Sequence, residues 1–205
     1  MEDALNIGGT FLKQLDEYIK ANWESITCDY IFKLYQRFFE DLKELKGNAN
    51  GFTGLSEYLI FRFLYHQLND SFTPEKYTQE IKYFVGKHYK IGQSINMIPI
   101  GQPKCYPDIS LIQKDTDKLL AVLQIKTFLT EGKAEIEKEM MNFSKLKEHC
   151  NPALIGVLII YAQPSNGPLF KELENIKNAN NWFNYIILKN NNGLLCERLH
   201  TALKI

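Results

Sequence analysis

The sequence predicts an α/β (α+β) domain in which a central mixed β-sheet is flanked by helices, with a helical extension at the N-terminus. Three observations point there. Two apolar, β-branched runs, 109–112 and 119–125, straddle a short charged segment and read as a β-hairpin. A third apolar run, 154–161, is continuous enough to be a strand buried on both faces. Stretches with helical spacing precede and follow these runs.

Each element has a local reason. Residues 9–21 place Phe11, Leu12, Leu15, Tyr18 and Ile19 at helical spacing. A longer helix is expected over 29–45, with Asp29 as a candidate cap. The tract 46–51, Lys-Gly-Asn-Ala-Asn-Gly, is a loop. A third helix over 54–68 is apolar on most sides and therefore deeply packed. Glu57 stands in its first turn, where a carboxylate either favours the helix dipole or is carried into a cleft. Over 73–90 bases and aromatics interleave. Thr73 as cap and Pro74 in the first turn predict another helix there. The Lys82–Lys90 part suits a phosphate-rich backbone as well as a solvated face.

A strand is expected over 93–100, closed by Gly101-Gln102-Pro103, and then the hairpin. After Gly132 a helix over 133–150 carries Ile136, Met140, Phe143 and Leu146 as its core stripe. Its lysines alternate with Glu135, Glu137 and Glu139, which reads as an exposed, salt-bridged face. After the strand 154–161 come a loop over 163–168, a helix over 169–178 and a strand over 184–188. Asn191-Asn192-Gly193 is a turn signal, and 194–199 is expected to return as an edge strand.

The 205 residues suffice for one substantial core. The chain reads as a single domain, with a helical layer over 1–50, a core over 54–188 and a C-terminal hairpin or edge over 189–205. A formal net charge of zero argues against a nonspecific cationic coat protein for nucleic acid, and leaves room for a local basic cleft. Cys28, Cys105, Cys150 and Cys196 are widely spaced, so a structural zinc or iron–sulfur site is not expected. The acidic start Met1-Glu2-Asp3-Ala4 lacks an apolar signal core. No apolar run approaches the ~20 residues that cross a membrane. A cytoplasmic protein with reduced thiols is the expectation.

The hairpin breaks its own hydrophobic pattern. Asp108 stands at the entrance of the first strand, and Gln124 and Lys126 interrupt the second. Side chains alternate faces, so Gln124 and Lys126 point one way while Leu123 and Ile125 point into the core. An ammonium and an amide in an apolar strand are unfavourable unless something pairs with them, and such violations gather at functional sites. Register decides whether Asp108 joins them. An odd loop of Asp115-Thr116-Asp117, with Lys114 paired to Lys118, puts Asp108 opposite Gln124. An even loop flips the face, unless a bulge restores it.

Pro107-Asp108, then Gln124-x-Lys126, in the order helix, strand, strand, strand, helix, strand, resembles the PD-(D/E)xK nuclease superfamily, the fold of many type II restriction endonucleases. The resemblance covers roughly 54–188, an αβββαβ core. It implies a Mg²⁺-dependent endonuclease, with Mn²⁺ as a substitute, that cuts double-stranded DNA as a homodimer. A two-fold protein mirrors a symmetric site. On the resemblance, Asp108 falls on the metal-binding aspartate and Lys126 on the lysine that orients or activates water. Ile125 would lend a backbone carbonyl to the metal, and Glu57 matches an extra helical acid. Gln124 stands where the family has Asp or Glu: its amide oxygen suits a hard cation but brings no charge, which Glu57 would restore. The implied catalytic set is Asp108, Gln124, Lys126 and Glu57; the implied metal ligands are Asp108, Gln124, Ile125 and Glu57. Three alternatives stand beside this reading: a DNA-binding module whose site has decayed at Gln124, a repair or recombination nuclease of the same fold, and an unrelated scaffold in which Asp108 caps a turn. Base-reading groups are expected in 82–90 and in the 163–167 loop.

Overall fold

The computed structural model describes residues 2–46, 54–77, 80–98, 104–162 and 167–205. Three helices come first: α1 (Glu2–Asn22), α2 (Cys28–Lys46) and α3 (Gly54–Leu68). Five strands follow: β1 (Thr73–Tyr77), β2 (Glu80–Val85), β3 (Tyr89–Gln93), β4 (Ile109–Gln113) and β5 (Lys118–Lys126). Then come α4 (Lys133–His149), β6 (Ile155–Ile160), α5 (Pro168–Ala179), β7 (Phe183–Ile187) and α6 (Leu195–Leu203). The strands form one sheet in the order β1-β2-β3-β4-β5-β6-β7. Pairing is antiparallel from β1 to β5 and parallel across β5, β6 and β7. The two parallel joints follow from the crossovers through α4 and α5, since a hairpin cannot return a chain in the same direction. This is the mixed sheet with flanking helices that the sequence predicts.

Alternation along the central strands divides the core into two layers. Ala121, Leu123, Ile125, Val157 and Ile159 pack with Leu59, Phe63, Ile31 and Leu199 from α3, α2 and α6. Val122, Leu158 and Ile160 pack with Ile136, Phe143, Leu146 and Leu173 from α4 and α5. The α4 layer approaches closely: a Cβ on Gly156 would lie 2.6 Å from the Phe143 ring. Glycine is what lets that ring lie against β6. Tyr161, fully buried, donates its hydroxyl hydrogen to the Ser56 carbonyl at 2.8 Å and ties the end of β6 to α3.

Three expected elements are different in kind. The 73–90 helix is instead the β1–β2 hairpin and the start of β3. Pro74 lies in β1, at the edge of the sheet, where a missing N–H does no harm. The strand expected over 93–100 is not formed: β3 (Tyr89–Gln93) stops where it should begin, 94–98 is irregular, and 99–103 lies outside the described residues. The C-terminal edge strand over 194–199 is instead α6; what remains of pairing is a single bridge between Thr27 and Leu194. Leu195, Leu199, Ala202 and Leu203 are buried at helical spacing and would be split between two faces in a strand. Asp29 does not cap α2. Thr27 Oγ1 accepts the Tyr30 N–H at 3.1 Å, while Asp29 Oδ1 accepts the Asn190 N–H at 2.7 Å. No helix among the described residues is long and apolar enough to cross a membrane.

Candidate functional site

The hairpin reaches the expected register by the less direct route. Its loop is even: Gln113 pairs with Lys118, and Lys114 N–H goes to the His88 carbonyl instead. Left alone, this would put Asp108 opposite Leu123. The ladder then shifts between Leu111 and Ile112, with Leu120 as the extra residue on β5. Leu119 and Ala121 consequently fall in different core layers although they are two apart. The bulge sets Ile109 opposite Leu123, so Asp108 lies beside Gln124 at the end of the sheet.

There Asp108 Oδ2 accepts the Gln124 side-chain N–H at 2.8 Å and the Ile125 backbone N–H at 2.6 Å. Both donors are neutral. Burial pushes the Asp108 carboxyl up, the Ile125 N–H and Lys126 oppose it, and Glu57 and Glu139 add to the rise, which ends at about 6. Glu57 is itself raised by burial. The structure therefore brings Asp108, Gln124 and Ile125 into contact and couples Glu57 to them through its field. A residue's N–H and C=O face the same neighbouring strand. The Ile125 carbonyl thus faces the β4 side, beyond the last paired residue, Ile109.

Lys126 is paired with α4. Its ammonium lies 2.8 Å from Glu139 and 3.4 Å from Glu135, both on α4. Burial pulls its pKa down, but the two carboxylates outweigh that and the net shift is upward. Glu139 is only 4% exposed, not part of a solvated face. The exposed, salt-bridged reading of α4 fails at this position. The signal was present: Glu139 falls three after Ile136 and four before Phe143, inside the core stripe. An acid in a core register is the same kind of violation as Gln124 and Lys126. The second oxygen of Glu135, Oε2, is buried with no hydrogen-bond partner among the described residues.

The donor set fits a hard divalent cation in part. Asp108 has one oxygen not used by its two N–H donors, and Glu57 adds a second carboxylate nearby. Among the described residues no three His, Cys, Asp or Glu side chains converge as a cage. Magnesium is commonly held by one or two carboxylates plus waters and phosphate, so a cage is not required. Gln124 turns its nitrogen, not its oxygen, toward Asp108. Of the expected base-reading segments, 82–90 forms β2 and the turn into β3, at the far side of the sheet from β7, and 163–166 lies outside the described residues.

No protein-family model and no curated protein matches the chain. One solved structure is similar: a repair endonuclease from Pyrococcus abyssi, at 14% identity and a TM-score of 0.38, covering 67% of this chain. The match takes in 47% of that chain, so the likeness spans about half of the repair endonuclease. It is too loose to carry an argument about this molecule.

Proposed function

We propose that this chain is a divalent-cation-dependent DNA endonuclease, with Mg²⁺ as its working ion and Mn²⁺ as a substitute. The observation that supports the reading best is the Asp108 carboxyl. It is half-buried at the end of the sheet, held in place by neutral donors, in the field of Glu57 and Glu139, and raised to about 6. Such a group gains from a cation that the fold does not itself supply.

A bound cation would polarise the phosphate and lower the pKa of an attacking water. Asp108 and Glu57 would hold it, with the Ile125 carbonyl on the same side. Gln124 fixes the Asp108 carboxylate through its amide N–H. Lys126, two residues along β5 and on the same face as Gln124, would orient water and stabilise charge on phosphate oxygen. Glu139 holds that ammonium at the sheet end.

Supercoiled plasmid incubated with the protein and Mg²⁺ or Mn²⁺ should be nicked or linearised, and Asp108→Asn should abolish the conversion. Discrete linear fragments and a two-fold mass in solution would mark a restriction-type homodimer cutting double-stranded DNA. Nicking without fixed bands would mark a repair-type enzyme. Cutting that persists in Asp108→Asn, or DNA binding with no cutting under either ion, would overturn the assignment. The second outcome would favour a binding module in which Lys126 stays locked to Glu139, the one contact that favours that alternative.

A further inference from the structure

Lys126 ends β5, and the chain passes at once into an aromatic groove. Phe128, two residues on, is 47% exposed. It lines a groove of about 420 Å³ together with Phe32, Tyr35 and Phe39 of α2. Phe39 is 37% exposed. Tyr35 is set against the core: its ring lies 4.8 Å from that of buried Tyr161. The groove is thus built onto the same strand end as the proposed catalytic lysine.

Cations stand against two of its rings. Lys43 stands 5.5 Å from the Phe39 centroid, and Lys189 stands 5.8 Å from that of Phe32. Neither lysine is in an ion pair among the described residues. The acid lining the groove, Glu40, is engaged by the Gln36 amide at 2.7 Å. Exposed ring faces with free ammonium groups beside them are what a single nucleic-acid strand needs: π-faces for bases and cations for phosphates. A paired base offers no free face, so it must leave the duplex to stack on protein.

We infer that this groove is a stacking platform for an unpaired nucleobase next to the scissile phosphate. The substrate class is then DNA with unpaired nucleotides, as in a single strand, a flap or a bulge, in preference to intact duplex. The inference rests on the nuclease reading given above.

The test measures binding and cutting separately on the full chain. Three DNAs of one sequence are compared in EDTA: a single strand, a duplex bearing a single-stranded flap, and a fully paired duplex. Each carries 2-aminopurine in the candidate position. The platform requires that the single strand and the flap bind on the order of tenfold more tightly than the paired duplex, with the fluorophore quenched on binding. Phe128→Ala and Phe39→Ala change exposed rings, so the fold is retained. Each should remove the quench and weaken single-strand binding about tenfold, while leaving paired duplex unchanged. Equal affinity for the three DNAs, or a quench that survives both substitutions, overturns the platform. A dimer in sedimentation that Phe128→Ala dissociates, with DNA binding untouched, also overturns it and assigns the groove to a second copy of the chain. Added Mg²⁺ separates the two proposals. Quenched binding without cutting would leave the platform standing and remove the nuclease, whereas cutting without quench or preference would do the reverse.

Discussion

Two half-buried carboxylates feel nearby cations in this molecule and end in opposite states. Asp16, where α1 meets α3, takes both prongs of Arg62, at 2.5 Å and 2.7 Å, and His66 at 2.8 Å. Burial pushes Asp16 up, but Arg62 and His66 outweigh it and the carboxyl lies below its ordinary range. Arg62 also lies 4.0 Å over the Tyr65 ring. Asp108 is held only by neutral N–H donors, and its nearest cation is itself gripped by Glu139 and Glu135. It ends at about 6. One helix serves both clusters: α3 gives Arg62 and His66 to the first and Glu57 to the second. The lesson is that a charge neutralised inside the fold is architecture, whereas a charge left in excess at the end of a sheet is an opening for something from outside.

The largest expected effect would break that comparison if it failed. Lys126→Ala and Asp108→Asn should each lower the plasmid-nicking rate by roughly a thousandfold or more, since each removes charge stabilisation at the phosphate. Arg62→Met should leave the rate per folded molecule within about twofold. A comparable loss of rate in Arg62→Met would mean that the Asp16 cluster is also part of the chemistry.

Next in size is the stability of the Asp16 cluster. Arg62→Met strips a partly buried carboxylate of its main partner, so urea unfolding should show a loss of about 2–4 kcal/mol. The pH signature follows from the direction of the shift. A carboxyl held low stabilises the fold above its ordinary range, and that stability is lost as pH falls through the lowered value. The acid limb of the stability curve should therefore flatten in Arg62→Met. An unchanged acid limb would show that Arg62 does not set the Asp16 carboxyl.

How much of this was legible beforehand depends on whether a residue's neighbours are near in sequence. Gly54–Leu68 matches the predicted helix at both ends, because it is apolar on nearly every side and needs no partner to identify it. Asp108, Gln124 and Lys126 were visible as polar groups at core positions of one hairpin, and the first two do meet. The route to their meeting was not legible: the bulge at Leu120 depends on how β4 and β5 share two core layers, which no single strand reveals. Glu139 was legible only by its place in the core stripe; its partner, Lys126, is on another element, and a run of alternating Lys and Glu reads as solvated. β1 and α6 exchanged types for the same reason. Thr73-Pro74 begins a helix or an edge strand equally well, and only the neighbour β2 decides. Asn191-Asn192-Gly193 turns the chain as predicted, but the Leu195 N–H then goes to the Ile26 carbonyl, placing the following residues for α6.

A smaller effect sharpens the contrast by adding charge. Gln124→Glu removes the amide N–H donated to Asp108 and places a second carboxylate against it. Without divalent cation the pair should repel and share a proton, lowering thermal stability. With Mg²⁺ the added charge should lower the concentration of ion needed for half-maximal nicking by about tenfold, or ~1.4 kcal/mol. Should the half-maximal concentration stay put while the metal-free protein loses stability, Gln124 would be a positioning group for Asp108 and not part of the cation's surroundings.

The smallest expected effect isolates the excess charge itself. Asp108 has an ordinary value of 3.8 and rises to about 6 in the fold. Between those values the native state holds more proton than the unfolded chain, so stability falls as pH rises through that window and levels off above it. The contribution is therefore greatest in acid and absent at neutrality, the reverse of Asp16. Asp108→Asn keeps an acceptor for the Ile125 N–H but never ionises. At neutral pH it should be more stable than wild type by about 1 kcal/mol, with the gap closing toward pH 4. Millimolar Mg²⁺ should raise the melting temperature of wild type and leave that of Asp108→Asn unchanged, because only a carboxylate gives the ion something to neutralise. Equal shifts in the two proteins would place the ion elsewhere on the surface and return Asp108 to the same class as Asp16.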